Sequence, residues 1–196
     1  MRFRRKADTV AVRAGSGVDI DAFARAVDPR LLDEVQFVRL VEVLDMLGRV
    51  GTGIELAGMR TETFAWFVSR ASTGQLDRLM ADPHLRQVVF DEVFTRMSQH
   101  LDPVRAATLH AVVHWRFVDA AGEDRFETRI DGGACTTGRE PTADPRVTIT
   151  LSPTDFLRAV TGAVTLPLLF VRGGVKVRGD LAFAAGLIGY FDLPTP

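Results

Sequence analysis

The chain has a single cysteine, Cys135, among its 196 residues. One cysteine excludes an internal disulfide, and without a CxxC pair or a Cys/His cluster the sequence offers no structural zinc site. Small proteins of oxidising compartments often depend on disulfides, so this scarcity indicates a reducing compartment. We therefore expect a cytoplasmic protein.

Long apolar runs are also missing. The longest, at residues 163–171, contains Pro167 and falls short of the roughly 18 to 20 residues that span a bilayer. Residues 1–6 are basic, but the next stretch mixes Asp8 and Arg13 with glycines where a signal peptide needs an apolar core. We expect neither a leader sequence nor stable membrane insertion.

A surplus of positive charge is absent as well. The sequence has 24 Lys and Arg against 25 Asp and Glu, for a formal net charge of −1. A nucleic-acid-binding domain usually carries a clustered surplus of basic residues. We therefore expect no nucleic acid among the partners.

Signals of catalysis and cofactor binding are missing too. The sequence has no GxSxG elbow, and Cys135 has no evident base beside it. Gly51 and Gly53 are not a dinucleotide fingerprint, because the third glycine is missing and no strand pattern precedes them. His110 and His114 lie about 13 Å apart on a predicted strand, too far for one metal ion. We expect no catalytic residues, no metal and no cofactor.

The first part of the chain is predicted to be an arm followed by helices. Residues 1–17 combine arginines with glycines and lack an amphipathic period, so we expect a flexible arm there. Residues 18–80 form a helical N-terminal extension, with helices at 31–47 and 61–69. The helix at 31–47 is apolar on more than one face. It either packs in a helical subdomain with residues 64–67, which we favour, or contacts another protein.

From residue 81 the pattern changes, and a second domain is predicted at 81–196. A one-faced amphipathic helix at 83–100 opens it. Alternating apolar residues then predict strands at 109–118, 125–130, 134–139, 147–151 and 175–178, the first two joined by a turn at 120–124. Further helices are predicted at 153–161, 166–171 and 181–190. The fold class is α+β, with a five-stranded, mostly antiparallel sheet covered by helices.

Several short stretches follow one another in a characteristic order in this second part of the chain. They are the helix ending at Leu101-x-Pro103, the strand at 111–117, Ile130-Asp131-Gly132-Gly133, the segment 144–152 leading into Asp155-Phe156, Thr161-Gly162, and Leu169-Phe170 followed by residues 174–181. In order and spacing they resemble the sterol carrier protein 2 family, also called non-specific lipid-transfer proteins, over residues 85–196. The run from Phe170 to Leu181 is the most specific of them.

The resemblance implies that the sheet and helices enclose an apolar tunnel for a fatty acid, an acyl-CoA or a sterol-like lipid. The side chains expected to line it are Val113, Trp115, Phe117, Phe126, Ile130, Val147, Ile149, Phe156, Val160, Leu166, Leu169, Phe170, Phe183 and Leu187. Alternating apolar residues fit a packed core equally well, so the sequence leaves both interpretations open. Arg172 and Lys176 either bind an acyl carboxylate or a CoA phosphate at the tunnel mouth, or lie on a solvated hairpin edge.

Three functions follow from this pattern. We favour the binding, and intracellular carriage, of a hydrophobic ligand without chemistry. The alternative is a protein-interaction or scaffold module with the same fold, whose N-terminal helices dock a partner or a second copy of the chain. An enzyme acting on a hydrophobic substrate would need polar side chains that point into the cavity.

Overall fold

The computed structural model describes residues 19–192, and the predicted arm at 1–17 lies outside these residues. In the described part of the chain, the helices before the first strand are α1 (Ile20–Ala26), α2 (Glu34–Arg49), α3 (Thr61–Arg70), α4 (Thr73–Ala81) and α5 (Pro83–Gln99). The predicted all-helical segment before the sheet is thus confirmed. No helix within residues 19–192 is long and apolar enough to cross a membrane.

Helix α2 begins at Glu34, three residues later than predicted. The Asp33 carboxylate accepts a hydrogen bond from the backbone N–H of Gln36 at 2.8 Å, and the Gln36 side chain accepts one from the N–H of Asp33 at 3.0 Å. This reciprocal capping box satisfies two N–H groups that a helix start leaves free. The preceding segment, Pro29–Leu31, forms a separate 3₁₀ turn.

Helix α4 lies where no helix was predicted. The Ser72 hydroxyl accepts a hydrogen bond from the N–H of Gln75 at 3.1 Å, and the Gln75 side-chain oxygen accepts one from the N–H of Ser72 at 2.8 Å. The Gln75 amide also donates to the backbone oxygens of Pro29 and Leu32, which joins α4 to the turn before α2. Gly74 lowers the helix propensity here, whereas the S-x-x-Q spacing is the signal that marks the start.

Five strands form one mixed sheet in the described chain, in the order β3-β2-β1-β4-β5. They are β1 (His110–Asp119), β2 (Gly122–Asp131), β3 (Ala134–Gly138), β4 (Val147–Leu151) and β5 (Val175–Gly179). Strand β1 is central, antiparallel to β2 and parallel to β4, while the pairs β2–β3 and β4–β5 are antiparallel. The predicted five-stranded, mostly antiparallel sheet is confirmed.

The β1–β2 hairpin is tighter than predicted, with Ala120 and Ala121 as its turn in place of residues 120–124. Asp119 pairs with Gly122 in the ladder, and its side chain accepts a hydrogen bond from the N–H of Ala121 at 2.8 Å. Gly122 has a φ of +140°, which L side chains rarely adopt. Because this glycine completes the turn, β2 starts at once and both strands are ten residues long.

The remaining helices are α6 (Pro153–Val160), α7 (Leu166–Val171) and α8 (Leu181–Gly186). Ser152 caps α6, as the sequence predicts. The helix predicted to reach Tyr190 ends instead at Gly186, and a 3₁₀ helix, Leu187–Tyr190, follows it. Gly186 and Gly189 have low helix propensity, which accounts for the early end.

Helices α5 and α6 lie against one face of the sheet, and aromatic rings fill the space between them. The aromatic cluster consists of Phe90, Phe94, Trp115, Phe117, Phe126 and Phe156. The ring contacts within it have centroid distances from 4.5 to 6.4 Å. The indole N–H of Trp115 donates to the hydroxyl of Thr128 at 3.0 Å, so its one polar atom is satisfied.

Arg96 of α5 joins the N-terminal helices to the rest of the molecule. Its buried guanidinium donates to the backbone oxygens of Leu56 and Met59 at 2.9 and 2.8 Å and pairs with Glu92 at 2.6 Å. It also lies 4.7 Å from the centre of the Phe64 ring. A buried cation is costly without such partners, so the segment before α3 is held firmly to α5.

The N-terminal helices share one core with the sheet. A single cluster of buried apolar side chains extends from Ile20 to Phe191. Helix α2 packs on α4 and α5, and α3 and α4 pack on α6. Residues 19–80 therefore pack on residues 81–192 as part of the same interior, while the predicted boundary between the extension at 18–80 and the domain at 81–196 stays a prediction.

The Arg96→Leu variant is expected to lower the free energy of unfolding by about 3 kcal/mol, the usual scale for breaking a buried ion pair. The change leaves two backbone carbonyls and the Glu92 carboxylate without their donor. Urea unfolding followed by circular dichroism measures the loss. Arg105→Leu is the matched control: the Arg105 side chain is 61% exposed in its pair with Asp102, so the cost should stay below about 1 kcal/mol. Equal losses in the two variants would contradict the role of Arg96.

Candidate functional site

An apolar cleft of about 270 Å³ lies at the β4–β5 end of the sheet. Its walls come from β4, β5, α7 and α8. The lining residues are all apolar: Ile149, Leu166, Pro167, Phe170, Val171, Val175, Val177, Leu181, Ala184 and Ala185. With no polar side chain in its wall, the cleft can bind a ligand by excluding water but offers no group that would orient it.

Helix α7 forms one wall and is apolar from end to end. Leu169 is its one buried residue, whereas Phe170 and Val171 are 49% and 83% exposed. Pro167 lies in the first turn, where a helix needs no N–H donor, and the Thr165 hydroxyl caps that turn. A short helix held by a single buried side chain therefore borders the cleft and exposes apolar surface.

Small residues form the opposite wall of the cleft and leave space in it. Ala184 and Ala185 of α8 contribute only a methyl group each. Asp180 fixes the start of α8, because its carboxylate accepts a hydrogen bond from the N–H of Phe183 at 2.8 Å and pairs with Arg146 at 2.8 Å. A larger side chain at position 185 would therefore enter the cleft.

Three of the fourteen predicted site residues line this cleft: Ile149, Leu166 and Phe170. Four others belong to the aromatic cluster: Trp115, Phe117, Phe126 and Phe156. The remaining seven are buried in the core: Val113, Ile130, Val147, Val160, Leu169, Phe183 and Leu187. Rings in mutual contact occupy the centre of the domain, and one of them, Phe126, also borders a more polar cavity between α5 and β3. A longer tunnel stays a prediction.

Seven lining residues are not among the predicted ones: Pro167, Val171, Val175, Val177, Leu181, Ala184 and Ala185. Val175 and Val177 alternate with polar residues on β5, so the period of two could have identified them. Val171 and Leu181 are 83% and 53% exposed and carry no such signal. They border the cleft only because α7 and α8 fold back against β5.

Residues 79–196 match the family model described as alkyl sulfatase C-terminal. The chain belongs to this family. The match covers more than half of the chain and includes the whole sheet and every residue of the cleft. An alkyl sulfatase C-terminal domain is a sterol carrier protein 2-like domain, so the resemblance found in the sequence is confirmed. A search among curated proteins found no match.

Solved structures similar to this alkyl sulfatase C-terminal family member have low sequence identity. Apo sterol carrier protein 2 from Yarrowia lipolytica is 24% identical over 53% of this chain and 86% of its own, with a TM-score of 0.43. Palmitated sterol carrier protein 2-like 2 from Aedes aegypti is 19% identical over 56% and 96%, with a TM-score of 0.44. The inverting sec-alkylsulfatase from Pseudomonas sp. is 16% identical over 88% of this chain and 32% of its own, with a TM-score of 0.48.

Two predicted headgroup cations, Arg172 and Lys176, lie near the cleft of this alkyl sulfatase C-terminal domain. Both are exposed, and neither forms an ion pair with a residue between 19 and 192. Lys176 is paired with Thr150 in the ladder and alternates with the cleft residues of β5, so it projects from the outer face of the sheet. Arg172 follows the last residue of α7 directly. Arg172 is therefore next along the chain to the cleft residue Val171, and the binding of a headgroup by either cation stays a prediction.

The outer face of the sheet carries a polar cluster around Glu127. The buried carboxylate accepts hydrogen bonds from the backbone N–H groups of Thr142 and Ala143 at 2.8 and 3.0 Å and from Arg129 at 3.0 Å. The Nε2 of His114 lies 3.3 Å from it. Burial acts to raise the pKa of Glu127, but these donors outweigh burial and lower the pKa to about 2. The cluster faces away from the cleft and attaches the loop before β4 to the sheet.

Other side chains that could bind a metal or react lie apart from the cleft. Within residues 19–192, no three His, Cys, Asp or Glu side chains converge in a way that could hold a metal ion. His110 is exposed on the outer face and pairs with Asp131. The Cys135 thiol is half-buried on β3, and burial raises its pKa, the opposite of what an activated nucleophile needs. None of these side chains contributes to the wall of the cleft.

The Glu127→Gln variant is expected to lose about 2 kcal/mol of unfolding free energy at neutral pH, because an amide replaces a charged acceptor of several hydrogen bonds. A carboxyl with a lowered folded-state pKa stabilises the fold fully above its ordinary value of 4.5, and this contribution is lost as the pH falls through about 2. Stability should therefore fall less steeply with acid in the variant. Chemical denaturation at several pH values measures this, with exposed Glu140→Gln as control. Identical pH profiles for wild type and Glu127→Gln would contradict the assignment.

Proposed function

We propose that this domain binds the aliphatic chain of an amphiphile, such as a fatty acid, in the apolar cleft and catalyses no reaction itself. The observation that carries the proposal is the cleft wall, in which all ten side chains are apolar. The hydrophobic effect is then the main favourable contribution to the binding of a ligand in this cleft. No lining side chain can transfer a proton or attack a bond.

The volume of the cleft favours one aliphatic chain over a sterol. At about 270 Å³, it lies just below the roughly 300 Å³ at which pockets for drug-sized ligands begin. A methylene group takes up about as much space as a water molecule, roughly 30 Å³, so the cleft holds about nine methylenes. A rigid four-ring sterol is wider than a single chain and needs more room.

The expected affinity is moderate. Burial contributes about 0.8 kcal/mol per methylene, so about nine methylenes contribute roughly 7 kcal/mol. This free energy corresponds to a dissociation constant on the order of 10 μM. The polar end of the ligand stays in water, near the exposed guanidinium of Arg172, which favours an anionic headgroup.

Membership in the alkyl sulfatase C-terminal family supports this choice of ligand. The family description names enzymes of alkyl compounds, and an alkyl chain is the part of such a compound that an apolar cleft accommodates. We therefore include alkyl sulfates beside fatty acids and acyl-CoA among the candidate ligands. Carriage of the ligand through the cytoplasm belongs to the same proposal and requires release as well as binding.

A protein-interaction role is the second candidate. The observation that favours it is the apolar surface exposed along α2 and at its C-cap, with Val35, Met46 and Val50 each at least 50% exposed. This face and the cleft lie on different elements of the fold. The two roles are therefore compatible in one molecule.

A series of alkyl sulfates of increasing length tests the ligand proposal by isothermal titration calorimetry. Each added methylene should tighten binding about four-fold, up to about nine carbons, because it buries one more methylene in the cleft. Beyond that length further methylenes stay in water, and the affinity should level off. No binding at tens of micromolar, or binding that does not depend on chain length, would overturn the proposal.

The Ala185→Trp variant should weaken binding of a dodecyl chain at least about ten-fold, because the indole fills much of the cleft. Ala182→Trp is the matched control, since Ala182 is exposed on the same helix outside the cleft wall. Fluorescence displacement measures both affinities, and thermal unfolding shows that both variants are folded. Equal affinity in the two variants would place the ligand elsewhere.

A further inference from the structure

Helix α2 presents apolar side chains to solvent along one face. Val35, Val43, Met46 and Val50 are 50%, 38%, 50% and 69% exposed, and Leu31, in the turn before the helix, is 82% exposed. We call these five residues the α2 stripe. Singly exposed apolar residues are normal, whereas a contiguous exposed patch marks an interaction site.

The stripe lies on the side of the helix opposite its packing face. The residues that α2 buries against the molecule are Phe37, Val41 and Leu44. At about 100° per residue, the three stripe residues within α2, Val35, Val43 and Met46, fall within about 80° of one another and are centred about 180° from the buried three. The packing of the described chain therefore leaves the stripe uncovered.

Two charged residues lie in the same face, and neither has an ion-pair partner between residues 19 and 192. They are Arg39 and Glu42, both exposed. The next acidic residue, Asp45, is already paired with Arg49 and His84. One free charge of each sign within an apolar stripe suits a surface that binds a copy of itself.

We infer that the α2 stripe is the contact of a homodimer in which two copies of α2 pack antiparallel about a two-fold axis. An axis beside the peptide bond between Leu40 and Val41 sets Val35 of one copy opposite Met46 of the other. The same axis sets Val43 opposite Val38. Leu31 and Val50 lie just outside the two ends of α2 and extend the apolar surface there. Symmetry repeats both contacts, so apolar residues meet apolar residues along the helix.

The charges fit the same axis. It sets Arg39 of each copy opposite Glu42 of the other, which forms two ion pairs by symmetry. A parallel arrangement would set Arg39 against Arg39 and Glu42 against Glu42, and like charges across an interface are unfavourable. The charges therefore select the antiparallel dimer. The mixed signs also differ from the cationic bias of helices that bind anionic membranes.

The dimer is expected to be weak and reversible. Five apolar side chains cover less than the roughly 800 Å² per partner of a standard stable interface. A dissociation constant in the micromolar range follows, on the order of 10 to 100 μM. Dimerisation should therefore depend on protein concentration within the range that ultracentrifugation covers.

Charge reversal tests the dimer by sedimentation equilibrium of the full chain, from about 1 to about 300 μM. The Glu42→Arg variant should raise the dimer dissociation constant at least about ten-fold, because Arg39 then faces a second arginine. The double variant Arg39→Glu/Glu42→Arg should restore the wild-type constant, since each charge pair is exchanged. A mixture of Arg39→Glu and Glu42→Arg chains should form a mixed dimer tighter than either homodimer.

A separate variant and its control test the apolar residues of the α2 stripe. Met46→Lys should abolish dimerisation, whereas Val104→Lys should leave it unchanged, because Val104 is 83% exposed outside the stripe. All variants should keep their thermal unfolding and their alkyl-chain affinity, which separates this inference from the proposed function. A wild-type chain that stays monomeric at every concentration, or a double variant that fails to dimerise, would overturn the inference.

Discussion

The mutual packing of six aromatic rings is the interaction on which the rest of the structure depends. The rings come from α5, β1, β2 and α6, so one region of contact sets the spacing between the sheet and its helices. Aromatic side chains bury roughly 150–250 Å² each, more than other residues, and dominate a core of this size. Helix α5, held by Phe90 and Phe94, in turn carries Arg96, which holds the segment before α3. The N-terminal helices are therefore positioned by the same core as the sheet.

The filled centre has a consequence for ligand binding. Rings from Trp115, Phe117 and Phe156 occupy the middle of the domain, and the wholly apolar cleft lies at the end where β5 forms the sheet edge. Short α7 and the small residues of α8 border that space. In the proposed function, this cleft takes one flexible chain from the edge, and its apolar wall selects by length more than by functional group.

The cleft and the α2 stripe are built from separate elements, and each can be altered without the other. In an antiparallel dimer through α2, each copy keeps its own cleft, because α7, α8 and β5 take no part in the contact. The proposed binding of an amphiphile and the inferred self-association therefore rest on separate parts of one fold. The inferred self-association depends on Arg39 and Glu42, while the proposed binding depends on Ala185 and its neighbours.

The sequence by itself determined the kinds of elements and most of their order. The period of two at 109–118 and Ser152 before Pro153 are local signals, because strand alternation and helix capping depend on residues a few positions apart. Resemblance over residues 85–196 added the fold of the second domain. Only the tertiary structure decided that the rings meet at the centre, that β4 runs parallel to β1, and that Val171 and Leu181 border a cleft. These features depend on contacts between elements that are far apart in the chain. Periodicity shows which face of a helix or strand is apolar, but it does not show which element packs against that face.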